Sequence, residues 1–229
     1  MVFDTVARFA KSKSEREEGK KKMKGKTGNE NNKGNANKAN EKKELTYFSA
    51  VYSVIKGRKS VRKYQDKKVD GNIIELLIQA ASYAPSAGNQ QPWEFVVVRD
   101  KGNILNIARA CFDQDWVASA PVVIVAGVNM RLAEAIYGER GAKLYGVQGV
   151  AAAIENMLLT ATSLGLGTCW VGAFAEPEIT FAVGFPEYIR PCAIITLGYP
   201  AEKAKETRRH PVKDFVFFER YSHLPKYVQ

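Results

Sequence analysis

The chain has 229 residues, 45% of them apolar and 10% aromatic. That length suits one domain or two, and such a chain can bury about 70% of its unfolded surface without a disulfide or metal staple. Three cysteines with no CxxC pair, and only two histidines (His210 and His223), argue against a disulfide framework and a Cys/His zinc site. The net charge of +10 is unevenly placed: residues 1–46 hold 13 Lys/Arg against 7 Asp/Glu, and residues 47–229 hold 21 against 17.

No apolar run approaches the ~20 residues of a membrane helix, and the longest, Ala120 to Val128, is strand length. Lys11 and Lys13 follow too closely on Phe9 and Ala10 for the first residues to read as a secretory signal, so the expected compartment is the cytoplasm. Residues 1–44 read as a basic tail. A short amphipathic turn is possible where Val2, Val6, Phe9 and Ala10 recur at helical spacing. Beyond it, a Lys run from Lys20 to Lys26 and an Asn/Lys/Gly tract from Asn29 to Asn40 lack the apolar area to offset ordering entropy. The tail is either solvated or an electrostatic attachment to nucleic acid or another anionic surface.

The folded domain is expected over residues 45–229. Phe48, Val51, Tyr52 and Ile55 form one face of a first helix. A second helix runs from about Gly71 to Tyr83, N-capped by Asp70, with Ile73, Ile74, Leu77, Ile78 and Ala81 inward and Pro85 and Gly88 beyond its end. Trp93 to Arg99 reads as a strand and Ile104 to Phe112 as a helix. Pro121 to Val128 reads as a strand covered on both faces. The longest helix is expected from about Leu144 to Leu164, with Val147, Val150, Ala151, Ile154, Met157, Leu158 and Ala161 as its stripe and Gly165 at C′. Thr168 to Val171 is extended, Pro177 to Val183 helical, and Cys192 to Leu197 a buried strand. This alternation places the chain in the α+β or α/β class around a central sheet.

Four segments carry candidate chemistry. Arg58, Lys59, Ser60 and Arg62 lie within five residues, and guanidinium forks with a hydroxyl suit a phosphate. The same segment also reads as a solvated basic loop. In extended chain, residues two apart share a face, which aims Ser60 and Arg62 together. Pro85-Ser86-Ala87-Gly88-Asn89-Gln90-Gln91-Pro92 is either an amide-rich loop for the edge of a polar heterocycle or an ordinary turn. In Gly165 to Gly172 the glycines offer close backbone approach to a ligand, and Cys169 reads as a packed thiol rather than a nucleophile. Arg208 and Arg209, before His210 and Pro211, follow a buried strand and either return to the phosphate site or belong to a solvated connection.

In the order and spacing of these four segments, the sequence from about Tyr47 to Tyr221 resembles the FMN-dependent nitroreductase family. The resemblance implies an α+β fold: an α-β-α sandwich with a central mixed, mainly antiparallel sheet, in an intertwined homodimer that exchanges a terminus. It implies that Arg58, Lys59, Ser60 and one of Arg208 and Arg209 hold the FMN phosphate and ribityl chain, with Arg62 toward the pyrimidine edge. A cation fixed there stabilises the anionic reduced flavin. Pro85, Ser86, Ala87 and Asn89 reach the flavin ring from the partner subunit, and Trp170, Val171 and Gly172 offer backbone groups beside it. The implied activity is ping-pong hydride transfer from NADH or NADPH to nitroaromatics, quinones or flavins, with no protein acid or base and no metal. Two departures stand out. Ala87 occupies a position where many members carry Ser, and Gly149 sits in the long helix where relatives often carry Asp, weakening that helix by ~1 kcal/mol relative to Ala. The rivals are dehalogenation or flavin-destroying oxidation on the same fold, and a non-catalytic flavin-binding protein whose tail binds nucleic acid.

Overall fold

Side-chain alternation in the Pro121 to Val128 run explains how one sheet comes to be covered on both sides. In the computed structural model, which describes residues 45–112 and 114–221, β2 (Val122–Asn129) lies between β1 (Trp93–Val98) and β4 (Ile189–Gly198), and β3 (Gly167–Val171) forms the far edge. Every strand pair is antiparallel. The one parallel pairing among the described residues is an isolated bridge between Ser60 and Thr168, so the mixed character expected of the sheet rests on that single contact.

Val122, Ile124, Ala126 and Val128 point to one face, with Ala193, Ile195 and Leu197 beside them. Ile74, Leu77 and Ala81 of α2 (Gly71–Ser82) cover this face, together with Val150, Ile154, Met157 and Ala161 of α5 (Gly146–Ser163). Val123, Val125 and Ile194 point to the other face. There they meet Ile104 and Ile107 of α3 (Lys101–Ala110), Val117, and Ile179 of α6 (Glu176–Val183). Leu77, Ile107, Ile124, Ile154, Ile179 and Ile195 are fully buried, each worth about 1.5–3 kcal/mol in transfer free energy. The layered α-β-α sandwich is thus the expected one, and no helix among the described residues is long and apolar enough to cross a membrane.

Local signals set the helix ends. The Asp70 carboxylate accepts from the Asn72 N–H at 2.8 Å, and that of Asp100 from the Asn103 N–H at 2.8 Å. The Asp100 cap starts α3 at Lys101, three residues before the apolar spacing shows it. At the end of α5 the Gly165 N–H donates to the Thr162 carbonyl and the Leu166 N–H to the Ala161 carbonyl, a Schellman closure with Gly165 at φ 73°. One α-helix was not anticipated: α4 (Met130–Arg140), N-capped by the Asn129 side chain, which accepts from the Leu132 N–H at 3.1 Å. A single π-type turn, Gly141–Tyr145, joins it to α5 and accounts for the later start of the long helix.

A separate unit, residues 1–57, contributes the helix α1 over 45–57, where Phe48 and Tyr52 stack with centroids 5.5 Å apart. The expectations for the basic tail and for His223 fall on residues 1–44 and 222–229, outside the described residues.

Candidate functional site

The free edge of β3 positions the basic segment. The Val61 N–H donates to the Thr168 carbonyl at 2.9 Å, beside the Ser60–Thr168 bridge, so residues 60 and 61 lie along β3. Val61 is buried and sits over Gly167, where an added Cβ would be 2.8 Å from its side chain. Gly167 therefore makes room for Val61, and Gly165 ends α5. These two glycines of the Gly165–Gly172 segment serve packing and capping rather than ligand approach. Tyr64 fastens the segment from behind: its hydroxyl donates to the Val61 carbonyl at 2.6 Å and lies 2.6 Å from Thr196 Oγ1. Burial pushes the Tyr64 phenol above its usual range, so it stays protonated and can donate.

With Val61 turned into the core, the residues on either side of it face outward. Arg58, Lys59, Ser60 and Arg62 line a cleft of about 640 Å³ together with Glu202, Lys205, Glu206, Thr207 and Arg209 from the segment after β4, so its lining carries more cations than carboxylates. The two basic segments far apart in sequence thus meet. Of the two candidate arginines it is Arg209 that lines the cleft; its Nη1 donates to Thr207 Oγ1 at 2.6 Å. Arg58 Nε lies 3.7 Å from Glu155 Oε1, and Lys63 Nζ donates to Glu202 Oε2 at 3.0 Å. Arg62, Lys59 and Lys205 have no carboxylate within 4.0 Å among the described residues, so the cleft keeps uncompensated positive charge.

Cys169 lies behind this wall, 2% exposed, and burial raises its thiol pKa against the opposing pull of Arg62, Ser60 and Arg58. It is the packed thiol the sequence suggested. Trp170 is part-exposed on β3, Val171 is buried in the sheet, and Gly172 follows at the exposed strand end.

Pro85, Ser86, Ala87 and Asn89 do not line this cleft. Their loop has positive φ at Gly88 (57°) and Asn89 (54°) and, beyond a right-handed Gln90, again at Gln91 (51°), the two non-glycine positions costing about 1–3 kcal/mol each. Ser86 Oγ accepts from the Gln91 N–H at 2.9 Å, and Gln90 Nε2 donates to the Leu132 carbonyl at 2.5 Å on α4. The hydrogen of Gly149 in α5 faces Ser86, whose Cβ would be 3.5 Å from an added Cβ. Backbone held in sparsely populated conformations by several partners is typical of ligand-contacting loops.

A family model described as "Nitroreductase family" matches residues 55–114 and 107–199. The chain belongs to the nitroreductase family. A candidate NADH dehydrogenase/NAD(P)H nitroreductase of Archaeoglobus fulgidus is 35% identical over 150 residues, covering 64% of this chain and 83% of that protein. The FMN reductase [NAD(P)H] of Bacillus subtilis is 26% identical over 166 residues, covering 67% of each. Among solved structures, a nitroreductase family protein of Streptococcus pneumoniae matches with a TM-score of 0.67 at 27% identity, over 72% of this chain and 98% of that one.

For this family member, sequence reasoning missed two aromatic residues that touch the basic segment. Tyr64 is one. Trp116 is another: its ring centroid lies 5.3 Å from Cζ of Arg62. Neither carried a local signal, because each acts on a segment it meets only in the fold. No group of three or more potential metal ligands occurs among the described residues.

Proposed function

We propose that this chain is an FMN-dependent oxidoreductase that uses NADH or NADPH to reduce nitroaromatics, quinones or flavins. The observation that supports it best is the meeting of Arg58, Lys59, Ser60 and Arg62 with Arg209 around one cleft at the free edge of β3. Guanidinium forks, an ammonium and hydroxyls in one recess suit a phosphate monoester, so the donor set fits the phosphate end of FMN. When bound, FMN supplies the two-electron chemistry between the nicotinamide and the acceptor.

The chain's own residues bind and orient. Arg58, Lys59, Ser60 and Arg209 hold the phosphate and ribityl chain. Glu155 keeps Arg58 aimed without cancelling the whole cluster. Arg62 presents a positive charge toward the pyrimidine edge, where the reduced ring is anionic. Trp170, Val171 and Gly172 offer backbone groups to the ring. No side chain need move a proton, because the flavin itself carries the chemistry.

The strained loop of Pro85, Ser86, Ala87 and Asn89 serves the site of a second copy in a homodimer. That reading is supported by the strained backbone at Asn89 and Gln91, held by Ser86 Oγ and by the Gln90 side chain on α4. The test is steady-state turnover of the purified protein with NADH or NADPH and menadione or a nitrofuran. Nucleotide consumption that depends on the acceptor, with parallel double-reciprocal lines, is expected of donor and acceptor taking turns in one site. Absence of consumption with both nucleotides and both acceptors would refute the proposal.

A further inference from the structure

Among the cations of the cleft, Arg62 is held differently from its neighbours. Arg58 leans on Glu155, and Arg209 donates to Thr207 and to the Arg208 carbonyl. Arg62 has no carboxylate partner among the described residues and instead lies over the Trp116 ring, 5.3 Å from its centroid. The ring is itself a fixed object. It belongs to the turn Asp115–Ser119, where Val117 is fully buried and the Val117 N–H donates to the Gln114 carbonyl at 2.8 Å. Ser119 Oγ donates to the Trp116 carbonyl at 2.6 Å. Gln114 Nε2 donates to the Cys111 carbonyl at 2.9 Å and to that of Ala173, next to Gly172, at 3.4 Å. The half-buried indole packs against the Val98, Ile104 and Val117 cluster.

A carboxylate would order Arg62 but would also neutralise it. An aromatic face orders a guanidinium through its ring quadrupole and leaves the charge and the N–H edge free. We propose that Trp116 is a positioning residue for Arg62, a platform that fixes the cation in the cleft at full charge so that it favours the reduced over the oxidised flavin. This rests on the FMN reading given above.

The test is a double-mutant cycle of Trp116→Leu and Arg62→Gln, with Trp116→Phe as the volume-sparing variant. Two quantities are measured in each protein: the dissociation constant for FMN, and the ratio of reduced to oxidised FMN affinity from the midpoint potential. With Arg62 present, Trp116→Leu is expected to lower that ratio by roughly two- to fivefold, the range of an exposed cation–π contact. Trp116→Phe keeps most of the ratio, and in the Arg62→Gln background Trp116→Leu leaves it unchanged. In the protein without FMN, the Arg62 Nε–H resonance, displaced upfield by the indole ring current, moves toward its ordinary position in Trp116→Leu. Equal losses in both backgrounds, or an Arg62 resonance indifferent to the substitution, would show that Trp116 only packs and would overturn the proposal. A wild-type chain that binds no FMN refutes the functional reading itself, which distinguishes the two failures.

Discussion

Replacing Gly167 with alanine places a methyl group 2.8 Å from the Val61 side chain, closer than packed atoms tolerate. Because Val61 is hydrogen-bonded to Thr168 and held at its carbonyl by Tyr64, it cannot retreat without dragging Ser60 and Arg62 with it. Overpacking of this kind costs about 1–3 kcal/mol. Gly167→Ala is therefore expected to lower the Tm and to weaken FMN binding together, as read by thermal unfolding and flavin titration. The two arginines near the C-terminus separate more cleanly. Arg209→Ala removes a cation that lines the cleft, and loss of one charge-assisted contact worth about 1.5–3 kcal/mol is expected to weaken FMN binding by roughly ten- to a hundredfold. Arg208→Ala is expected to change it less than threefold, and titration of both variants checks the pair. Arg58, Lys59, Ser60, Arg62 and Arg209 were legible in sequence because their chemistry is written in the side chains themselves, whereas Glu202, Lys205, Glu206 and Thr207 join them only through the fold. Trp116 and Tyr64 were not, since an indole or a phenol acquires its role only from the segment the fold lays against it.

At the level of the elements, period and caps carried most of the reading. Asp70, the stripe of α5 and Gly165 marked their helices, and the β-branched runs became strands. Where the reading ended, at α4, the sequence offers Asn129 as a cap but a weakly amphipathic run behind it, with one buried residue, Ala133. That helix matters to the site, because Ile136 and Tyr137 pack over Gly88 and the Leu132 carbonyl receives Gln90. The positive φ at Asn89 and Gln91 was equally hidden, since neither residue type requires it. Gly149 in α5 gives a clean prediction. An added methyl group there meets only ordinary contacts, at 3.5 Å from Ser86 and 3.9 Å from Pro85 and Pro92. Gly149→Ala should raise stability by about 0.5–1 kcal/mol through helix propensity, seen as a higher denaturation midpoint. A lower midpoint would mean that the Pro85–Pro92 loop presses on α5 more tightly than these distances show.

Across the whole molecule, one antiparallel sheet with helices on both faces brings the first and last basic segments to the same edge. Burial of Val61 turns that edge from a row of unpaired backbone groups into a wall of cations. The spacing of strands and helices left α+β and α/β open, and only the resemblance chose between them. The resemblance also implied that Arg58, Lys59 and Ser60 meet one of Arg208 and Arg209, and the folded edge is what puts Arg209 rather than Arg208 in the cleft. The proposed FMN site lies along this edge. The most direct measurement is the visible absorption spectrum of the purified protein after incubation with excess FMN and desalting. A yellow protein with the bands of bound flavin is expected, the colour retained in the wild type and diminished in Arg209→Ala. A wild-type protein that emerges colourless would contradict the proposed site.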